Sequence, residues 1–177
     1  EVYYQLKGGQ VDYGFSHSSA YNLIQKPENK YYEGIYPEWD SNHPIHIIGH
    51  SQGGLTARML EHLLINTFDN ESSEILNQPH KGWIKSITTI STPHNGTTIA
   101  PIITEMFPHI QSMIIWFDII SYDSFYNFDL DQWGLYQEKD ESLIGYIGRI
   151  RKSPISATKN FCSWDVSIEG ANEFNNV

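Results

Sequence analysis

The stretch Ile45-His46-Ile47-Ile48-Gly49 runs without a spacer into Gly49-His50-Ser51-Gln52-Gly53-Gly54. A short, β-branched, consecutively apolar run is the pattern of a strand covered on both faces of a parallel sheet. Leu55, Met59, Leu60, Leu63 and Leu64 then recur at helical spacing, so a helix must begin as the strand ends. A strand that turns straight into a helix is half of a parallel β-α-β crossover.

The rest of the chain extends the same alternation. A second strand is predicted over Ile84 to Ile90, ended by Ser91-Thr92-Pro93-His94-Asn95-Gly96, where Pro and Asn-Gly force a turn. Upstream, Val2 to Leu6 is followed by Gly8-Gly9, a helix-like segment from about Val11 to Ile24, and a loop rich in Pro, Asn, Tyr and Gly as far as Pro44. Alternating strands and helices predict an α/β fold with a doubly wound, mostly parallel sheet and binding at the carboxyl ends of its strands. No internal repeat, low-complexity tract or Gly/Ser linker divides the 177 residues, which read as a single domain.

Charge narrows the partners. A formal net charge of -10 repels nucleic acid and anionic membranes, and suits a neutral substrate better. Cys162, the one cysteine, excludes an intrachain disulfide framework, and no Cys/His cluster has structural zinc spacing. The longest apolar stretch, Met113 to Phe117 with Ile119 and Ile120 after Asp118, falls far short of the roughly 20 residues of a membrane span. Neither a signal peptide nor a starting Met is present, so Glu1 looks like the start of a processed or truncated chain.

Gly49-His50-Ser51-Gln52-Gly53 is a G-x-S-x-G motif placed between a strand and a helix, the context its chemistry requires. The sharp reversal should put Ser51 in a strained backbone conformation, with glycine at 49 and 53 removing side chains that would collide. Its hydroxyl is then pushed into the open as a nucleophile. The start of the helix favours the oxyanion formed on attack, and the Gln52 amide N–H is placed to donate to that oxyanion.

These residues resemble a known family, the large secreted lipases of the staphylococcal and thermophilic Bacillus type. The resemblance is carried by Val11-Asp12-Tyr13-Gly14 with His17, by His46 to Gly54 with Thr56-Ala57-Arg58, and by Ser86 to Gly96 with its Thr92-Pro93-His94-Asn95-Gly96. Asp129-Leu130-Asp131-Gln132-Trp133-Gly134-Leu135 and Trp164-Asp165 with Gly170 extend it over nearly the whole chain. It implies the α/β-hydrolase fold, a helical lid inserted in the sheet domain, an extracellular location, and hydrolysis of acylglycerols or similar esters at a lipid-water interface through an acyl-enzyme. A thioesterase or polyester hydrolase on the same fold is a rival reading, because the elbow does not choose the substrate. A catalytically inactive, lipase-like lipid-binding protein is another.

The resemblance also implies that the chain is a central fragment of a longer enzyme. The family's His-Gly-Phe-type segment, which supplies the second oxyanion donor, has no match here, and its acid and base are expected beyond Val177 in the order Ser, Asp, His. The 177 residues alone should therefore show only residual rate. Of the histidines present His94, which ends the neighbouring strand, could approach the site, but no family match makes it the base and a turn role suits it better. His62 is about 16 Å along the helix from Ser51 at 1.5 Å per residue, too far for a hydrogen bond. His50 belongs to the elbow, His43 and His46 precede it, His80 and His109 read as solvated loop or helix-end residues, and His94 as part of a turn.

In the family two Asp and two His hold a zinc, and His17 matches the first histidine. The second corresponds to Leu23, which has no lone pair to offer, and the later aspartate to Asn160, so zinc binding stays open but is not matched beyond His17. No cofactor is expected, with His17 the one candidate metal ligand. Residues 99–128 carry more apolar surface than one core-facing stripe needs, as a lid that meets lipid would. Arg58, Asp131 and Trp133 read as scaffold.

Overall fold

The computed structural model describes residues 1–98, 130–135, 138, 141, 142, 145, 146, 149, 152 and 162–176. The expected lid, residues 99–128, lies outside the described residues. The chain divides into two compact units, Glu1–Pro93 and His94–Val177.

The first unit runs α1 (Val2–Lys7), β1 (Gly9–Gln10), α2 (Phe15–Tyr21), β2 (Tyr31–Tyr32), β3 (Ile45–His50), α3 (Gln52–Ile65), α4 (Glu74–Asn77) and β4 (Ile84–Ile90). Gly8 ends α1 at φ 95, and a Cβ there would stand 2.8 Å from the Glu33 carbonyl oxygen, so the chain can double back only through glycine. The helix expected from Val11 to Ile24 is confined to α2. Val11 N–H donates to the Lys30 carbonyl and Tyr13 N–H to that of Gln25, while Gly14 takes φ 82, so tertiary backbone bonds hold the segment's first residues out of the helix. Asn22, in the left-handed region, closes α2. Asp12, buried in the same knot, accepts from Gly14 N–H (2.9 Å) and Gln25 Nε2 (2.8 Å) and pairs with Lys26 Nζ at 3.2 Å, so its charge is compensated.

β3 and β4 pair in parallel, with His46 opposite Ser86, Ile48 opposite Thr88 and His50 opposite Ile90. Both strands and the helix between them lie close to their expected positions. α3 buries Leu55, Ala57, Leu60 and Leu64. Leu60 and Leu64 join Tyr3, Tyr4, Val11, Trp39, Ile75 and Leu76 in one core, with Ile45, Ile47 and Ile84 of the sheet packed against it. Truncating a leucine at such a site costs about 2–5 kcal/mol. The opposite face differs from expectation: Ile48 is 72% and Ile90 49% exposed. Cover on both faces is thus not seen among the described residues, whose parallel sheet has two strands, and the architecture they show is a partial α/β domain.

The second unit contains a 3-10 turn (Leu130–Trp133), α5 (Cys162–Asp165) and α6 (Ile168–Asn175). Ser167 caps α6, its Oγ accepting from Gly170 N–H at 2.9 Å. Gly170 is there because a Cβ would fall 1.9 Å from the Trp164 carbonyl oxygen. The turn before it is tied in as well, with Thr97 N–H donating to Val166 O (2.9 Å) and Asn175 Nδ2 to His94 O (2.9 Å).

Candidate active site

Ser51 sits between the last residue of β3 and the first of α3 at φ 53, ψ -125. Residues other than glycine avoid this region, and such strain persists only where the surroundings impose it. Two constraints are visible. Ser51 N–H donates to the Ile90 carbonyl at the end of β4 (2.9 Å), and Gly54 N–H donates back to the Ser51 carbonyl (3.2 Å). The side chain is exposed, and its hydroxyl makes no capping bond to the helix it precedes. Most serines at this position of a helix would turn inward to cap it. Gln52 follows as the first residue of α3, so its N–H is among those with no acceptor inside the helix.

The glycines of the motif divide differently from the expectation. A Cβ at Gly49 would lie 2.6 Å from the backbone of Gly53 and Gly54, which explains that position. A Cβ at Gly53 would meet nothing within 4 Å. The second demanding glycine is Gly54, where a Cβ would fall 2.1 Å from Thr92 Oγ1 and 2.9 Å from Thr89 Cγ2. The tight approach is therefore between the first turn of α3 and β4 with the residues just after it.

Four histidines of the first unit are occupied elsewhere, while exposed His50 ends β3 beside Ser51. His62 Nδ1 lies 3.2 Å from Asn66 Nδ2 with its ring edge-on to Phe68, His46 Nδ1 meets Ser86 Oγ at 2.7 Å on the exposed sheet face, and His43 meets Asp40 at 2.9 Å. His80, expected to be solvated, is buried. Its Nε2 lies 2.9 Å from the Glu74 carbonyl and its ring packs on Trp83, so it belongs to the aromatic core around Tyr3 and Trp39. His94 opens the second unit, and His109 lies outside the described residues.

His17 stands exposed on α2 with its ring 4.9 Å from that of Tyr21. Desolvation holds its pKa below the usual value, while nearby Glu71 pulls the other way. Glu71 is already engaged, accepting from the N–H groups of Phe15 (2.7 Å) and Ser16 (2.8 Å). Among the described residues no three His, Cys, Asp or Glu side chains come together to hold a metal. Leu23, expected at one ligand position, offers no donor atom, and Asn160, expected at another, lies outside the described residues. The described residues gather no such ligand set around His17.

A family model described as the C-terminal domain of lipase-like proteins matches residues 1–177. The chain belongs to this lipase-like family. A lipase of Staphylococcus hyicus is 38% identical over 188 residues, covering 99% of this chain and 28% of that protein. Lipase 1 of Staphylococcus aureus (strain NCTC 8325 / PS 47) is 37% identical, covering 99% of this chain and 27% of that protein. The crystal structure of the Staphylococcus hyicus lipase superposes with a TM-score of 0.83 at 35% identity, covering 98% of this chain and 47% of that one. The chain thus spans less than a third of the length of these curated lipases and about half of the solved one.

Two residues beside the elbow escaped sequence reasoning. Ser91, which follows β4, takes φ 51, and Thr92 Oγ1 is buried with no hydrogen-bond partner. A positive φ at serine leaves no trace in residue pattern, so only the Thr-Pro turn was legible there.

Proposed function

We propose that this chain carries the nucleophile of a lipase-type carboxylic ester hydrolase. Ser51 Oγ attacks the ester carbonyl, the Gln52 N–H stabilises the oxyanion, and the alcohol leaves to give an acyl-enzyme that water hydrolyses. The observation that carries this reading is the backbone of Ser51. Its φ 53, ψ -125 conformation between a parallel strand and a helix displays a hydroxyl that the helix does not use as a cap. The aspartate and histidine that complete the relay are proposed to lie outside these 177 residues, on the likeness to longer lipases of which this chain spans less than a third.

The lipases this chain is similar to support acylglycerols or related neutral esters as substrates, and the acidic surface suits a neutral substrate. We assign the protein to the extracellular side on the same likeness. No described helix is long and apolar enough to cross a membrane.

The test is labelling of the complete polypeptide with a fluorophosphonate, followed by peptide mapping. Label on Ser51 that disappears in Ser51→Ala identifies an activated serine, and chain-length profiling then separates lipase from thioesterase or polyester hydrolase. A folded, complete protein that takes up no label would replace the hydrolase with a lipid-binding relative of it.

A further inference from the structure

We infer that the turn at Ser91 and Thr92 is a positioning device for Ser51, and that Ser91 acts through its backbone conformation. The inference rests on the reading of Ser51 as the nucleophile.

The register of the sheet sets the two serines side by side. His50 pairs with Ile90, so Ser51 and Ser91 are the next residues on adjacent parallel strands, which run about 4.8 Å apart. Both take positive φ, 53 and 51. Two non-glycine residues in that region at neighbouring strand ends need a common cause. Ser51 N–H donates to the carbonyl of Ile90, the residue immediately before Ser91, at 2.9 Å. That bond ties the strained elbow to the end of β4 where the chain bends away. The bend then carries Thr92 under the start of α3. Thr92 Oγ1 is buried, and a Cβ on Gly54 would fall 2.1 Å from that oxygen and 2.7 Å from Thr92 Cγ2.

The elbow is thus held from two directions, by a hydrogen bond at Ser51 and by packing at Gly54, and Ser91 is the residue whose φ joins them. The buried Thr92 hydroxyl without a hydrogen bond fits this account, since the side chain serves as a wedge. Continuing β4 in extended form would remove Thr92 from Gly54. The consequence is chemical, because the Ser51 backbone places both Oγ and the adjoining Gln52 N–H. A shift of about 1 Å in such a pair costs roughly a hundredfold in rate. Loosening the turn should lower turnover more than substrate binding.

The experiment compares Ser91→Gly, which holds a positive φ freely, with Ser91→Val, whose branched side chain resists it, in the complete polypeptide. Readouts are the fluorophosphonate labelling rate of folded protein, kcat and KM on a soluble p-nitrophenyl ester, and hydrogen exchange at the Ser51 amide. Ser91→Val is expected to lower the labelling rate and kcat about tenfold or more, leave KM within about twofold, and speed exchange at Ser51. Ser91→Gly should label about tenfold faster than Ser91→Val. Equal loss in both variants would assign the effect to the hydroxyl and overturn the inference, as would a folded Ser91→Val that labels like the unaltered protein. If Ser91→Val does not fold, Thr92→Ala removes the wedge alone, and the same fall in labelling is expected; no fall overturns the inference. Absence of label in the unaltered protein would sink the nucleophile reading. Amide exchange at Ser51, which needs no catalysis, then decides the turn by itself: faster in Ser91→Val than in Ser91→Gly supports it, equal rates reject it.

Discussion

β3 and β4 are each followed by a serine in the same unusual half of backbone space, yet the two lead the chain in different directions. Both serines are exposed, but after Ser51 the chain enters α3 at once, whereas after Ser91 it enters the Thr92-Pro93 turn and sets the half-buried Thr92, with its Oγ1 buried, against Gly54. Strain at one end displays a hydroxyl, and strain at the other delivers a wedge beneath it. Local conformation alone therefore does not mark a nucleophile. What distinguishes Ser51 is the helix that starts behind it and the partners that hold it there.

The comparison is most exposed at the hydroxyls. Ser51→Ala in the complete polypeptide should lower kcat by about 10⁴–10⁶-fold on any ester it cleaves, as loss of a relay nucleophile does, whereas Ser91→Ala should change it by no more than about tenfold. Equal losses in steady-state assays would mean the two serines share the chemistry. The next largest effect lies in the glycines between them. Gly54→Ala forces a methyl onto Thr92 and should destabilise by about 2–3 kcal/mol, read as a lower urea midpoint at unchanged slope. Full tolerance of that alanine would show that Thr92 does not brace the elbow.

Strain itself should be measurable at the two ends. Ser51→Gly removes a conformation worth about 1–3 kcal/mol and loses roughly 0.5–1 kcal/mol through the freer unfolded chain, leaving a net gain of about 1 kcal/mol in a denaturation midpoint. Ser91→Gly should gain less if the ψ of -125 at Ser51 is the costlier geometry, and the reverse order would move the larger strain to β4. The smallest effect is at Gly53. Alanine there enters open space within α3 and should stabilise by about 0.5–1 kcal/mol by thermal melting. A loss instead would mean that the Gly53 site is closed by something outside the described residues.

Much of this region was readable in advance. β3, α3 and β4 carry strong local periodicity, and their bounds fall within a residue or two of the pattern. Val11 to Ile24 misled because its apolar spacing is helical while its flanks are bound elsewhere: Val11 to Lys30, Tyr13 to Gln25, and Gly14 turned to φ 82. His80 misled in the opposite sense. A histidine between Pro79 and Lys81 looks solvated, but Trp83 and Tyr3 close over it.

From the sequence alone came the junction of strand and helix, the serine at that junction, and the membership in a lipase-like family, since all three rest on neighbours in the chain or on residue identities in order. Tertiary structure alone decided which glycines the elbow needs and what holds Ser51 in place. Those outcomes depend on contacts between residues far apart in sequence, Gly54 with Thr92 and Ser51 with Ile90, and spacing along the chain carries no record of a distance across the sheet.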